Sequence, residues 1–236
     1  MKEITKTIVK GLLWKEAKEL IRRNLLIILN SLVLPLFIIL YTAYQINLMD
    51  LPIEQKQALF GSNIAFIPLL VIPFFGSSYL VRIVAEEKIR RQFHILVSSA
   101  ISLQVIAIVK FVITVLISYI LNIIVCILYC LSLLLLFNAN CIISSYTWFM
   151  LFIFIPLICY CLLAVINFLL FRFRNTQIIS FVFPLLSVFG AWGIIIKHGT
   201  ISPSYVLLIL CSIISIFITL FIQYSIRFIN IEKAIE

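Results

Sequence analysis

The sequence predicts an all-α polytopic membrane protein with six transmembrane helices and both termini in the cytoplasm. Composition is the first reason: 64% of the 236 residues are hydrophobic and 11% are charged, whereas soluble domains are about 45–50% apolar and about 25% charged. The second reason is that the charged residues lie in short stretches separated by long uncharged gaps. The same composition excludes a soluble enzyme, a disordered chain and a nucleic-acid-binding protein.

The uncharged gaps define the predicted spans, because one bilayer crossing needs about 20 mostly apolar residues. The gap between Lys110 and Arg172 is long enough for two crossings, and Asn138-Ala139-Asn140 supplies the turn between them. Ser102 is placed to cap the helix of the third span. The six predicted spans are 25–46, 61–82, 104–137, 147–171, 176–196 and 204–227.

The distribution of basic residues predicts the orientation. If both termini lie on one side, every Lys and Arg except Lys56 and Lys197 lies on that side. Because basic residues concentrate on the cytoplasmic side of membrane proteins, both termini are predicted to be cytoplasmic. Lys110 lies near a cytoplasmic end of its span, where its long side chain can snorkel to water.

Residues 1–24 are predicted to form an amphipathic helix that lies in the membrane interface. Apolar residues recur at three- and four-residue steps from Ile4 to Ile21, with basic residues between them. The alternative is a solvated extension of the first span, and residues 25–236 form the transmembrane domain in either case. The residues expected to contact the headgroup region are Trp14, Lys15, Lys18, Arg22 and Arg23.

Residues 85–103, between the second and third spans, combine charge with an apolar stripe. Ile89, Phe93 and Leu96 recur at helical spacing, and charged residues cluster at the start of the segment. Such a short cytoplasmic helix suits a docking contact. An ordinary loop whose charges stay hydrated fits the composition equally well.

These features together resemble the ABC type-2 permease family, the membrane subunits of many ATP-driven exporters. The resemblance covers essentially the whole chain, although Arg90-Arg91 stands where the family often has a glycine. The matching pieces are Trp14-Lys15-Glu16 and Arg22-Arg23, Pro35 in the first span, Glu86-Glu87-Lys88 after the second, Leu96-Val97-Ser98-Ser99, and Lys110 at the start of the third.

The resemblance implies a permease of the bacterial cytoplasmic membrane that pairs with a second copy or a paralogue among membrane lipids. It also implies that the segment 85–103 contains a coupling helix that docks into a separate cytosolic ABC ATPase. The apolar, Phe-rich composition favours a hydrophobic or amphipathic cargo. The small size and short outer loops resemble permeases of lantibiotic self-protection and peptide export, which favours a peptide. The implied docking residues are Glu86, Glu87, Arg90, Arg91, Phe93 and His94.

No catalytic or cofactor site is expected on this chain. None of its glycines belongs to a P-loop, so ATP and Mg would bind to the partner ATPase. No CxxC occurs, and His94 and His198 are far apart, so no metal site is expected. An ion-coupled secondary carrier is the main alternative function, but such carriers keep an ionisable group at membrane depth and no acidic residue lies inside a predicted span. A passive membrane immunity protein is the other alternative.

Overall fold

A computed structural model describes residues 10–16, 18–19, 25–89, 102–139, 143–172 and 205–228 of the chain. Within these ranges the protein is 93% helical and contains no strand, which confirms the predicted all-α class. The helices are α1 (10–16 and 18–19), α2 (Leu25–Leu48), α3 (Ile53–Ile64), α4 (Ile67–Ile89), α5 (Leu103–Phe137), α6 (Ser145–Phe149), α7 (Ile155–Arg172) and α8 (Tyr205–Ser225). A π-helical turn (Met150–Phe154) joins α6 to α7, and a 3-10 turn (Ile226–Phe228) follows α8.

Five helical stretches are long and apolar enough to cross a membrane. They are Leu25–Leu48, Ile53–Val84, Leu103–Phe137, Ser145–Arg172 and Cys211–Phe228. Each overlaps one of the predicted spans, so five of the six spans are confirmed as membrane-length helices. The remaining predicted span, 176–196, lies outside the described residues, and the side on which the termini lie stays a prediction.

The two ends of α5 are determined by the residues that the sequence singles out. At the start, the Ser102 hydroxyl accepts a hydrogen bond from the backbone N–H of Val105 at 3.4 Å, which confirms the predicted cap. At the other end, Asn138 adopts the left-handed conformation with φ of 47°. Asparagine tolerates this conformation better than most residues, and it stops the helix where the turn was predicted.

The second span differs from its prediction because it is broken. Helix α3 ends at Ile64, Ala65 and Phe66 form a turn, and α4 begins at Ile67. A continuous helix would need the N–H of residue 68 to donate to the Ile64 carbonyl, but residue 68 is proline and has no N–H. Pro68 is instead accommodated in the first turn of α4, where the backbone N–H groups have no intrahelical acceptor.

Helix α4 lies at the centre of the bundle and packs against α2, α5 and α7. On one face, Val71, Phe75 and Tyr79 belong to a core shared with α2 and α5. On the opposite face, Ile72, Leu80 and Val84 belong to a core shared with α5 and α7. Helices α2 and α8 expose most of their apolar side chains, as expected for surfaces that lie against lipid.

The helix directions place most described basic residues at one end of the bundle, which we call the α1 end. Asn167 near the end of α7 contacts Gln223 near the end of α8, while another part of α8 contacts the π-helical turn before α7. The two helices are therefore parallel, and Arg172 and Tyr205 lie at opposite ends. Arg82, Lys110 and Arg227 lie toward the α1 end, and Glu54 and Lys56 lie at the other, in agreement with the predicted separation of charge.

Candidate functional site

Three charged side chains meet inside the protein at the α1 end. The ammonium of Lys110 donates to Oε1 of Glu16 at 2.8 Å and lies 2.9 Å from Oε1 of Glu87. The side chains are 0%, 1% and 5% exposed, respectively. We call Glu16, Glu87 and Lys110 the acid–base cluster. Ionisable groups this deeply buried are rare and need partners.

Each member of the cluster comes from a different helix. Lys110 lies in the second turn of α5, Glu87 in the last turn of α4 and Glu16 on α1. Leu12, one helical turn before Glu16, is also buried in the core, so this face of α1 packs onto the bundle. The Tyr79 hydroxyl of α4 donates to the backbone carbonyl of Glu16 at 3.4 Å. These contacts join α1 to the segments on both sides of residues 90–101.

The expectation that Lys110 snorkels to water is wrong. Helix α1 and the end of α4 cover the first turns of α5, so the Lys110 side chain has no route to the surface and is 0% exposed. Two carboxylates beside the ammonium replace the water that it would otherwise reach. Sequence analysis therefore missed the pairing of Lys110 with Glu16 and Glu87.

The cluster carries unequal charge. Two carboxylates face one ammonium, and the further Lys15–Glu87 contact is 3.8 Å long with the Lys15 side chain 40% exposed. Within the described part of the chain, neither oxygen of Glu87 has a well-oriented hydrogen-bond donor, and Oε2 of Glu16 also has none. Glu87 lies beyond the membrane-spanning stretch, which ends at Val84. Burial raises the pKa of the Glu87 carboxyl, Lys110 opposes this increase, and Glu16 adds to it.

The structure locates the predicted docking residues only in part. Glu87 is enclosed by α1 and α5 rather than presented on an open surface. Glu86 lies in the last turn of α4, and its side chain is not described. Arg90, Arg91, Phe93 and His94 lie outside the described residues, so their contact with an ATPase stays a prediction.

The predicted interfacial residues lie on the outer face of α1 as far as the structure describes them. Trp14 is 73% exposed, and Lys18 is exposed as well. Lys15 is partly exposed and near Glu87. Arg22 and Arg23 lie outside the described residues. The opposite face of α1, with Leu12 and Glu16, contacts protein, so α1 differs from a fully solvated extension.

A buried polar stripe continues from the cluster along α5. Lys110, Thr114, Ser118 and Asn122 follow one another at four-residue steps, and all four are at most 1% exposed. The stripe extends about 18 Å along the helix axis, which is more than half the thickness of a bilayer core. Thr114 and Ser118 donate to backbone carbonyls of α5 itself. The amide of Asn122 has no hydrogen-bond partner among the residues that the structure describes.

A second polar contact joins α2, α3 and α5 near the break between α3 and α4. Nδ2 of Asn63 lies 2.7 Å from the Thr42 hydroxyl and 3.3 Å from the Tyr129 hydroxyl. The Tyr129 hydroxyl in turn donates to the carbonyl of Phe60 at 3.4 Å. Asn63 therefore connects three helices at the place where the second span is interrupted.

Replacement of Asn63 by leucine is expected to destabilise the protein by about 1 kcal/mol, since interhelical hydrogen bonds in membranes contribute this much on average or somewhat more. The cost stays small because Thr42 and Tyr129 keep their hydrogen bonds to Ile39 and Phe60. Unfolding in SDS, followed by helical circular dichroism, measures the effect. Asn30, an exposed asparagine of α2, gives the matched control, and an equal effect of Asn30→Leu would contradict this role of Asn63.

Comparison with known proteins gives no match: no family model matches the sequence, and neither a curated protein nor a solved structure is significantly similar to the chain. The geometry of the acid–base cluster and of the five membrane-length helices is therefore the basis for a functional proposal, together with the residues that resemble the permease family.

Proposed function

We propose that this chain is the transmembrane subunit of an ATP-driven exporter of the ABC type-2 permease class. The observation that supports this most directly is the acid–base cluster. It ties Glu87 at the end of α4 to Lys110 near the start of α5 and to Glu16 of α1. These are the two flanks of the predicted docking segment 85–103, so a force on that segment is transmitted to three helices together.

The overall architecture of the chain also supports the exporter proposal. Five membrane-length helices make up most of the described residues, so most of the described part of the protein is available for a membrane pathway. The predicted docking segment 85–103 adjoins the cluster, because Glu87 lies in this segment and Lys110 lies shortly after it. In the proposed cycle, ATP binding draws two cytosolic ATPases together, each seated on one permease. The segments 85–103 then move as levers, and the pathway between the two permeases opens outward.

The composition favours a hydrophobic or amphipathic cargo. The sequence is 64% hydrophobic and contains 20 Phe residues, so the surfaces available to line a pathway are largely apolar. Such surfaces suit apolar side chains better than a sugar or a free ion. A peptide or peptide antibiotic is the proposed cargo.

The experiment is purification of the chain from its native membrane in mild detergent, identification of the ABC ATPase that it retains, and reconstitution of the two proteins together. We expect a stoichiometric complex whose ATP hydrolysis is stimulated by cargo peptides. Arg90→Glu with Arg91→Glu is expected to weaken the complex at least about tenfold, because each reversal replaces attraction by repulsion at a docking surface. Glu54→Lys with Lys56→Glu reverses charges of the same kind at the opposite end and serves as the control. Equal binding by both double variants would contradict the docking proposal.

An ion-coupled carrier is the second candidate, because the structure places two carboxylates and a lysine in a buried site next to a polar stripe of α5. The sequence-based reason against this function was that no acidic residue lies inside a predicted span, and Glu87 also lies beyond the stretch that ends at Val84. Liposomes that contain the chain alone distinguish the two candidates. Transport driven by a proton gradient without ATP would support the carrier and overturn the exporter proposal.

A further inference from the structure

The acid–base cluster contains one more acid than base. Lys110 supplies one positive charge, and Glu16 and Glu87 would supply two negative charges if both were ionised. Lys15 is 3.8 Å from Glu87 and 40% exposed, so water screens most of its effect. An uncompensated carboxylate in a buried site is so unfavourable that the group usually takes up a proton instead.

The geometry indicates which carboxyl group takes the proton. Oε1 of Glu16 accepts a hydrogen bond from the Lys110 ammonium at 2.8 Å. Glu87 is also close to the ammonium, at 2.9 Å, but neither of its oxygens has a well-oriented donor within the described ranges. Glu87 therefore has the weaker stabilisation of its charge.

Among the described residues, the groups around Glu87 supply no second buried cation. Helix α1 contributes both acidic and basic side chains, α4 contributes a tyrosine hydroxyl, and α5 contributes a lysine ammonium. The described charged groups that act on Glu87 are Lys15 and Glu16 on α1 and Lys110 on α5, and the Tyr79 hydroxyl of α4 lies against the backbone of Glu16. Lys15 is the second cation of this set, but it is 3.8 Å from Glu87 and 40% exposed, so the buried part of the cluster has one ammonium for two carboxyl groups.

We propose that the acid–base cluster is a proton-binding site, in which Glu87 holds a proton from the aqueous phase at pH values where an exposed glutamate is ionised. In the protonated state a neutral Glu87 carboxyl lies beside a Glu16–Lys110 ion pair. Loss of the proton leaves a surplus negative charge between α1, α4 and α5. The inference goes beyond the proposed function, since proton binding can be measured on this chain without an ATPase.

Proton binding at this site has a defined effect on stability. The folded protein binds the proton more tightly than the unfolded chain, so its contribution to stability is fully present below pH 4.5, the ordinary glutamate value. This contribution is lost as the pH rises through the higher pKa of Glu87 in the folded state. The attachment of α1 to the bundle is therefore expected to be tighter in acid. Glu87→Gln, which mimics the protonated side chain, removes this part of the pH dependence.

Infrared difference spectroscopy of the purified chain in lipid nanodiscs tests the proposal. A carboxylic-acid C=O band that persists above pH 4.5 is expected in the unaltered protein and is expected to be lost in Glu87→Gln. Glu54→Gln, a change at an exposed glutamate, should retain the band. In Glu16→Gln the band should titrate at lower pH, because Glu87 then becomes the sole carboxylate partner of Lys110 in the cluster.

Two results would overturn the proposal. One is the absence of any such band in the unaltered protein, a measurement that requires no variant to fold. The other is a band that survives in Glu87→Gln, which would place the proton elsewhere. Neither result affects the ATPase-binding experiment, so the proton site and the exporter function can fail independently.

Discussion

Replacement of Lys110 by methionine is expected to destabilise the protein by about 3–5 kcal/mol, the usual cost of removing one partner from a buried ion pair. Methionine fills a similar volume, so the effect comes from charge rather than from a cavity. The carboxyl groups of Glu16 and Glu87 would then share a buried site without the ammonium that lies within 2.9 Å of both. The buried thiols of Cys126 and Cys159 provide the measurement, since a maleimide dye reacts with them only after unfolding.

The double variant Lys110→Met with Glu16→Gln separates charge from packing. It removes the cation together with its hydrogen-bonded carboxylate, so it should recover most of the lost stability, and the double-mutant cycle gives the coupling energy. Lys56→Met is the matched control, because Lys56 donates to the Asn47 carbonyl at an exposed site. A loss of less than about 0.5 kcal/mol in Lys110→Met would be typical of a surface position and would contradict the buried pairing.

The spans were predictable because the bilayer imposes one simple requirement. A crossing helix must be apolar over its length and must satisfy its own backbone groups, so charge-free stretches translate directly into helices such as α2 and α5. The positions where α5 begins and ends also depend on nearby residues alone. Ser102 and Asn138 act through their own backbone and their immediate neighbours, and such effects can be inferred from a short window of sequence.

The acid–base cluster could not be predicted in the same way. Glu16 and Lys110 are separated by 94 positions, and nothing in the local sequence of either residue identifies the other. One signal was present: Lys110 begins the four-residue series that continues through Thr114, Ser118 and Asn122. A lysine in line with a polar stripe of an otherwise apolar helix indicates a side chain that faces protein. The partners still depend on how α1 docks, which is a property of the tertiary structure.

The break between α3 and α4 was only partly predictable from the sequence. Pro68 was visible in the sequence, but prolines also occur inside membrane helices without ending them, as Pro35 does in α2 and Pro73 does in α4. Before Pro68, by contrast, the helix ends and the chain turns at Ala65 and Phe66. The polar contacts of Asn63 with Thr42 and Tyr129 lie beside this turn, and these contacts between distant helices were not accessible to sequence analysis.

Replacement of Gly76 by valine is expected to destabilise the protein by about 1–3 kcal/mol, the cost of overpacking a close-packed core. Gly76 lies where α4 passes α7, and a Cβ atom at this position would lie 2.5 Å from Cδ1 and 2.7 Å from Cδ2 of Leu163. Leu163 is fully buried and has little room to move. Small residues allow close approach of this kind between membrane helices. The maleimide assay of the buried thiols measures the loss.

A compensating change in Leu163 tests the cause of that loss. Leu163→Ala alone leaves a cavity against Gly76 and is expected to cost about 2–5 kcal/mol. In Gly76→Val with Leu163→Ala the valine methyl groups occupy part of the space that the leucine vacates, so the combined cost should be smaller than the sum of the two single costs. Gly11→Val is the control, because a Cβ at Gly11 meets no described atom within 4 Å. Additive costs for residues 76 and 163 would show that the α4–α7 contact is not the source of the effect.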